Sequence, residues 1–278
     1  MSDNPEISKS LETCGYMTNY HDWGEGDGVL LLHGSGAGVS AWANWRGMLP
    51  LLSPEFRVIA PDLVGFGYTE TPADFQFEFM QSWIDQVMAL LDGLGIERIH
   101  VLGNSFGGAL AMWLASQQPD RFSRLILMGP GGWPAKVNDN LKELWAYKPS
   151  VANMKKIMDI MAFDRSLVTD ELAELRYKAT MRPGAQETFE RVFPEPHQRW
   201  LDAQVLTVDQ LQQLDNETLI IHGRDDIVVD PEVSLNLHQH IKKSQLHFFG
   251  NCGHWTQIEH ANRFQQLVQN FLLESKSD

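Results

Sequence analysis

Short and nearly continuous apolar runs recur along the chain, and helical patterns lie between them. Continuous apolar strands are typical of a parallel sheet, because helices cover both faces of such a sheet. The alternation of strands and helices therefore predicts a doubly wound α/β fold with a mostly parallel central sheet. The predicted strands are Val29–His33, Arg57–Ala60, Ile99–Gly103, Leu125–Met128, Leu219–His222 and Leu246–Phe249.

Two segments between or after these strands show the apolar spacing of one helix face. Apolar residues from Met80 to Leu91 follow the i, i+3, i+4, i+7 rule, and a second such pattern runs from Ile258 to Leu273. Both segments are predicted to be helices that pack against the sheet.

One long stretch, residues 133–208, breaks the alternation. It contains no convincing buried strand but has helical segments such as Val151–Ala162 and Thr169–Met181, the latter with Thr169 as the expected N-cap. An insertion of this length is unusual for a connection. We therefore expect residues 133–208 to form a helical lid, and residues 1–132 and 209–278 to form one α/β core.

Composition narrows the classes of function. The chain has 278 residues, 43% of them hydrophobic, and a formal net charge of −14. That acidic balance argues against a nucleic-acid partner, which needs clustered Lys and Arg, and against an anionic membrane surface. Residues 133–208 carry 11 acidic and 11 basic side chains, so the excess negative charge lies entirely on the predicted core.

Location is predicted from the N-terminus and the cysteines. The chain begins with polar and acidic residues and has no apolar signal region or run of 18 apolar residues. Its two cysteines, Cys14 and Cys252, do not make a disulfide framework. We expect a cytoplasmic protein without a membrane segment.

The strongest chemical motif is Gly103-Asn104-Ser105-Phe106-Gly107, which lies between a predicted strand and a predicted helix. Gly-x-Ser-x-Gly in that setting is typical of a nucleophile elbow, in which the serine occupies a tight turn and its hydroxyl points into a cleft. The motif predicts that Ser105 is a catalytic nucleophile.

A glycine-rich loop, His33 to Gly38, follows the first predicted strand. The backbone N–H groups of Ser35 and Phe106 are the predicted oxyanion hole. A plain flexible turn and a phosphate-binding loop are the alternatives, but no Gly-Lys-Ser/Thr follows, and the glycine spacing does not match a dinucleotide fingerprint.

A serine nucleophile needs a base and a residue that orients the base, and in elbow enzymes these follow in the order Asp, then His. Asp226 follows one predicted strand and His254 follows the last one, where open α/β sheets place ligands. Ser105, Asp226 and His254 are therefore the predicted catalytic triad. Asp225 is the alternative to Asp226.

Further stretches of the chain carry a family resemblance, namely His33-Gly34-Ser35-Gly36, Ala41-Trp42-Ala43-Asn44-Trp45, Gly65-Phe66-Gly67, Gly103 to Gly108 and Cys252-Gly253-His254-Trp255. With the predicted triad, they resemble the α/β-hydrolase fold and, within it, the meta-cleavage product hydrolases. The stretches Asp164 to Tyr177 and Arg182-Pro183-Gly184 are similar to the branch that acts on 2-hydroxymuconic semialdehyde.

The resemblance implies hydrolysis of a carbon–carbon bond in 2-hydroxy-6-oxohexa-2,4-dienoates, which are products of aromatic ring cleavage. It implies that Asn44, Asn104, Arg182 and Trp255 hold the small anionic substrate, and that the protein is a homodimer or a higher oligomer. No metal or other cofactor is expected, because no His/Cys/Asp cluster has metal-ligand spacing and the reaction needs only water.

The chain departs from the family pattern at Ala37 and Asp230, where the family usually has proline. These residues leave open the stiffness of the oxyanion loop and the surroundings of Asp226. Two alternative functions also remain, a general carboxylesterase or lipase with the same triad and a ligand receptor built on a hydrolase fold. A dehalogenase is disfavoured, because Ser105 stands where an aspartate nucleophile is required.

Overall fold

The apolar runs form part of one eight-stranded sheet in the computed structural model, which describes residues 4–274. The strands are β1 (Lys9–Thr13), β2 (Tyr16–Trp23), β3 (Gly28–Leu32), β4 (Arg57–Pro61), β5 (Ile99–Asn104), β6 (Phe122–Met128), β7 (Thr218–Gly223) and β8 (Ser244–Phe249). Their order in the sheet is β1-β2-β4-β3-β5-β6-β7-β8. The six strands from β4 to β8 in this order are parallel, while β1 and β2 pair antiparallel. The predicted fold class is confirmed.

Helices cover both faces of the sheet. The α-helices of residues 4–274 are α1 (Ala41–Trp45), α2 (Leu49–Leu52), α3 (Gln81–Gly93), α4 (Phe106–Gln117), α5 (Asp139–Trp145), α6 (Val151–Met161), α7 (Asp170–Thr180), α8 (Ala185–Val192), α9 (Gln198–Asp202), α10 (Val208–Gln213), α11 (Pro231–His240), α12 (Thr256–Glu259) and α13 (Ala261–Leu273).

Alternate residues of β3 enter two separate hydrophobic clusters. Leu30 and Leu32 pack in the cluster that contains Trp83 of α3, whereas Val29 and Leu31 pack in the cluster that contains Phe264 of α13. Successive side chains of a strand point to opposite faces. Burial on both faces explains why this strand reads as a continuous apolar run.

The sequence patterns missed two features of the core. The first is the β1–β2 hairpin, whose strands contain polar residues such as Asn19 and Asp22 and so show no continuous apolar run. The second is a break in the C-terminal helix, where the single helix predicted from Ile258 to Leu273 was wrong. His260 has a non-helical backbone (φ −125°, ψ 38°) and separates α12 from α13.

The stretch 133–208 contains helices α5 to α9 and the first residue of α10, and no strand interrupts it. Side-chain oxygens cap α5, α6 and α7, since Asn138, Ser150 and Thr169 each accept a hydrogen bond from a backbone N–H in the first turn. The predicted N-cap at Thr169 is confirmed. The division into core and lid at residues 133 and 208 stays a prediction.

Candidate active site

Ser105 occupies the sharp turn between β5 and α4, with φ 55° and ψ −116°. A non-glycine residue rarely adopts a positive φ, and such strain is typical of functional sites. The turn needs glycine on both sides, because a Cβ on Gly103 would lie 2.1 Å from the carbonyl oxygen of Gly107 and one on Gly107 would lie 2.3 Å from that of Leu32. This geometry is that of a nucleophile elbow.

Asp226 and His254 meet beyond the ends of β7 and β8. His254 Nδ1 lies 2.6 Å from Asp226 Oδ2, and both side chains are buried. Because the carboxylate accepts the proton on Nδ1, His254 Nε2 is left as the basic nitrogen. Asp225 does not contact His254 and instead accepts a hydrogen bond from the backbone N–H of Cys252.

Ser105 and His254 line the same cavity, which we call the serine cavity. Within residues 4–274, the hydrogen bond between Ser105 Oγ and His254 Nε2 that a triad uses is not formed. Such contacts are often long before substrate binds. The cavity encloses about 30 Å³, and its walls are Gly34, Ser35, Val39, Ala43, Asn44, Asn104, Ser105, Met161, Arg176, His254, Trp255, Gln257 and Ile258.

A second histidine, which the sequence patterns missed, supports Asp226. His222 Nε2 lies 3.2 Å from Asp226 Oδ2 and 3.0 Å from the carbonyl oxygen of Val229. That carbonyl only accepts, so Nε2 carries the proton, and Ser234 Oγ donates to Nδ1 at 2.6 Å. His222 lies inside a predicted strand, and its side-chain direction becomes visible only once the strand is paired.

The neighbours of Asp226 keep it ionised. Burial alone raises the pKa of this carboxyl, but the charge of His254 and the hydrogen bonds from His222 and His254 outweigh burial and lower the pKa below its usual range. The backbone N–H groups of Val228 and Val229 also donate to Oδ1, at 2.8 and 3.1 Å. The carboxylate is thereby fixed as an acceptor for His254.

Of the two predicted oxyanion residues, Phe106 directly follows Ser105 in the chain, and Ser35 lines the same cavity as Ser105. Phe106 is the first residue of α4, and the first N–H groups of a helix have no acceptor within the helix. Ser35 follows β3 and lines the serine cavity. His33 holds the loop in place, since its Nδ1 donates to Gly34 O at 2.7 Å and its Nε2 accepts from Leu63 N at 3.0 Å.

The two residues that stand where the family usually has proline, Ala37 and Asp230, differ in burial. Ala37 is buried in the loop after β3. Asp230 is exposed and caps α11 by accepting a hydrogen bond from Glu232 N at 2.9 Å.

Three of the four predicted substrate-binding residues, Asn44, Asn104 and Trp255, line the serine cavity. Asn44 Nδ2 is buried and has no hydrogen-bond partner within the described chain. A buried polar atom without a partner is costly, so this amide is a natural ligand contact.

Arg182, the fourth predicted residue, lies elsewhere. It lines a separate cleft with Tyr68, stacks on that ring at 4.0 Å, and donates from Nη1 to Gly67 O at 2.6 Å.

Arg176 of α7 is the cation that the structure brings to the serine cavity. Its guanidinium stacks over the Trp255 ring at 4.8 Å, and no acceptor among residues 4–274 forms a hydrogen bond or ion pair with it. Burial, and next the charge of Arg46, lower the pKa of Arg176 to about 10, which leaves it protonated at neutral pH. The sequence pattern predicts α7 as a helix but does not predict which of its faces meets the core.

Two further observations bear on the class of site. Across residues 4–274, no group of three or more His, Cys, Asp and Glu side chains is arranged to hold a metal ion. No helix in the same range is long and apolar enough to cross a membrane.

Comparison with known proteins places this geometry in a family. The sequence model of the α/β-hydrolase fold family matches residues 28–261. The 2-hydroxymuconate semialdehyde hydrolase of Pseudomonas sp. (strain CF600) is 49% identical over 98% of this chain and 96% of its own. The 2-hydroxy-6-oxo-2,4-heptadienoate hydrolase of Pseudomonas putida is 51% identical over 97% of both chains.

A solved structure agrees with these relatives. The meta-cleavage product hydrolase from Pseudomonas fluorescens IP01 superposes with a TM-score of 0.95 at 52% identity, covering 97% of this chain and 98% of its own. The chain therefore belongs to the α/β-hydrolase fold family and, within it, to the meta-cleavage product hydrolases.

Proposed function

We propose that the protein hydrolyses the C5–C6 bond of 2-hydroxy-6-oxohexa-2,4-dienoates in the breakdown of aromatic compounds, with 2-hydroxymuconic semialdehyde as the representative substrate. The products are then formate and 2-hydroxypenta-2,4-dienoate. The observation that carries the proposal is the partnerless guanidinium of Arg176 in the serine cavity. A cation of this kind suits a substrate that ends in a carboxylate.

The first chemical step stabilises the carbanion that leaves when the C5–C6 bond breaks. A proton added at C5, with loss of the proton of the 2-hydroxyl group, converts the dienol to a 2,6-dioxohex-3-enoate. Its conjugated 2-ketone then accepts the electron pair of the C5–C6 bond. Arg176 and the amide of Asn44 hold the carboxylate end of the substrate during this change, so that C6 lies toward Ser105.

The second task is attack on C6. Ser105 Oγ forms a bond to C6 while its proton passes to His254 Nε2, and Asp226 stabilises the imidazolium. The N–H groups of Ser35 and Phe106 stabilise the oxyanion. Cleavage of C5–C6 then leaves the acyl group on Ser105, and the proton on His254 passes to the departing dienolate, which leaves as 2-hydroxypenta-2,4-dienoate. Water, with the neutral His254 as base, then releases the carboxylic acid from Ser105.

Three further features belong to this proposal. Residues 133–208 act as a lid, a role supported by Met161 and Arg176 of this stretch, which line the serine cavity. A cytoplasmic location fits two cysteines that form no disulfide with each other. A homodimer or higher oligomer remains a prediction.

The test is a spectrophotometric assay with the yellow ring-fission products of catechol, 3-methylcatechol and 2,3-dihydroxybiphenyl. We expect loss of the yellow colour and, with the catechol product, one formate per turnover. If all three colours persist while p-nitrophenyl esters are hydrolysed rapidly, the protein is an esterase instead. A single stable covalent adduct with negligible turnover would identify a receptor.

The assignment of Asp226 is tested by paired substitutions. Asp226→Asn replaces the carboxylate with a neutral amide, whose NH2 can donate to Nδ1 and favour the wrong tautomer of His254, and it is expected to lower kcat by about 10⁴-fold. Asp225→Asn changes the adjacent carboxylate, which does not contact His254, and we expect kcat within about threefold of the wild-type value. A larger loss in Asp225→Asn than in Asp226→Asn would overturn the assignment.

A further inference from the structure

A second and larger space adjoins the serine cavity. This outer chamber encloses about 340 Å³, against about 30 Å³ for the serine cavity. A volume of about 30 Å³ holds one or two water molecules, so a six-carbon dienoate fits first in the outer chamber. Its outer walls come from both halves of the molecule, Leu167 and Leu172 on the helical stretch and Met48 and Ala261 on the core.

The two spaces share a wall. Asn44, Arg176, Trp255 and Gln257 line both of them. Arg176 thus faces the outer chamber as well as the space beside Ser105. A carboxylate in the outer chamber reaches this guanidinium without first passing the catalytic serine.

Arg46, the residue after α1, supplies a second positive charge to the outer chamber. It is exposed, and its guanidinium has no hydrogen-bond or ion-pair partner within the range 4–274. Its field reaches the inner wall, since its charge, after burial, contributes to the lowered pKa of Arg176. The carboxylate of Glu6 acts in the opposite direction on Arg176 but is itself engaged by Ser40 Oγ at 2.6 Å.

We propose that the outer chamber is the access site for the anionic substrate and that Arg46 attracts the carboxylate there before Arg176 binds it. This inference rests on the proposed function, because it requires a substrate that carries a carboxylate. Arg46 contributes affinity and encounter rate and takes no part in bond cleavage.

The positive charge of Arg46 opposes the negative charge of the whole molecule at the outer chamber. The molecule as a whole carries −14 and repels an anion at long range. At an ionic strength near 0.1 M, charges more than about 10 Å away are largely screened. Arg46 is exposed and lines the outer chamber, so its attraction acts on an anion in the chamber over less than that distance.

The experiment measures kcat/KM for the ring-fission product of catechol from about 20 to 300 mM NaCl. We compare the wild-type protein, Arg46→Gln and the control Arg98→Gln. Arg98 is also exposed and precedes β5, whereas Ser105 follows it. The strand has six residues, so the control charge lies roughly 20 Å from the serine.

We expect the wild-type kcat/KM to fall as salt rises. Arg46→Gln is expected to lower it about threefold at the lowest salt, with the difference vanishing near 300 mM. Arg98→Gln should follow the wild-type curve. The loss in Arg46→Gln should also be larger for the dienoate than for neutral p-nitrophenyl acetate.

Two results would overturn the proposal while leaving the proposed function intact. One is a wild-type kcat/KM that rises with salt, which would mean that the overall negative charge governs access. The other is a loss in Arg46→Gln that is the same at every salt concentration or equal for the ester. Failure of the wild-type protein to consume any dienoate would instead refute the proposed function itself and, with it, this inference.

Discussion

Two arginines six residues apart in the helical stretch have opposite surroundings. Arg182 donates from Nε to Ala179 O at 3.0 Å and from Nη1 to Gly67 O at 2.6 Å, and it stacks on Tyr68. Arg176 stacks on Trp255, and its guanidinium has no acceptor in the part of the chain that the structure describes. The same side chain thus fastens the structure at one position and faces a cavity at the other.

The difference shows how to tell a structural cation from a ligand-binding one. A guanidinium has five N–H donors and binds a carboxylate through two parallel charge-assisted hydrogen bonds. Arg182 donates from Nε and Nη1 to carbonyl oxygens of the protein. The guanidinium of Arg176 makes no hydrogen bond to a described residue and lines the cavity that also contains Ser105, so its donors are available to a substrate carboxylate.

Among the substitutions that test the contrast between the two arginines, Arg176→Gln is expected to have the largest effect. Loss of a charge-assisted, two-pronged contact costs about 3 kcal/mol, so kcat/KM for the dienoate should fall by about 100-fold or more. Steady-state assays of the dienoate and of p-nitrophenyl acetate, a neutral ester, measure the effect. Equal losses on both substrates would mean that the variant damages the triad, and would contradict the carboxylate-binding role of Arg176.

Arg182→Gln is the matched substitution. It removes the hydrogen bonds to Gly67 and Ala179 and the stacking on Tyr68, so we expect a loss of about 1–2 kcal/mol in the free energy of unfolding. Its kcat/KM for the dienoate should stay within about threefold of wild type. Denaturant titration and the same kinetic assay check both numbers, and a 100-fold kinetic loss with unchanged stability would reverse the two roles.

The sequence was a good guide to features that depend on local order along the chain. Continuous apolar runs located β3 to β8, and the elbow glycines follow from the close crossing of β5 and α4. It was a poor guide to features that depend on how helices are rotated. Both Arg176 and Arg182 fit a lid cation in sequence, and only the packing of α7 against Trp255 separates them.

Two other features depend on contacts between residues that are distant in sequence, and the sequence patterns did not predict them. His222 reads as an ordinary residue of a buried strand, and its contact with Asp226 depends on the turn after β7. The β1–β2 hairpin is held by antiparallel pairing of β2 with β4, in the register Tyr20 with Pro61. Neither interaction leaves a periodic signal in the sequence.

The buried carboxylates of Asp226 and Asp62 differ in the same way, since one has charged partners among the described residues and the other does not. Asp226 has histidine neighbours and a lowered pKa. Asp62 accepts only neutral donors, from Ala41 N, Tyr68 N and Asn19 Nδ2. Burial therefore dominates and raises the pKa of Asp62 to about 6.

This raised pKa gives the smallest predicted effect. Native Asp62 holds its proton up to about pH 6, whereas the unfolded chain releases it near pH 3.9. The native state therefore binds more protons, and stability falls as pH rises from about 4 to 6, by at most about 1.4 kcal/mol per pH unit. Asp62→Asn cannot titrate, so the stability of wild type relative to this variant should decline across that window in urea titrations. A flat difference would contradict the role given to burial.

The most direct test of the two arginine roles is substrate binding without turnover. Ser105→Ala removes the nucleophile, so binding of the dienoate can be followed by its absorbance. Adding Arg176→Gln to this background should weaken binding by about 100-fold, whereas adding Arg182→Gln should leave the dissociation constant within about threefold. Weaker binding with Arg182→Gln and unchanged binding with Arg176→Gln would contradict the account.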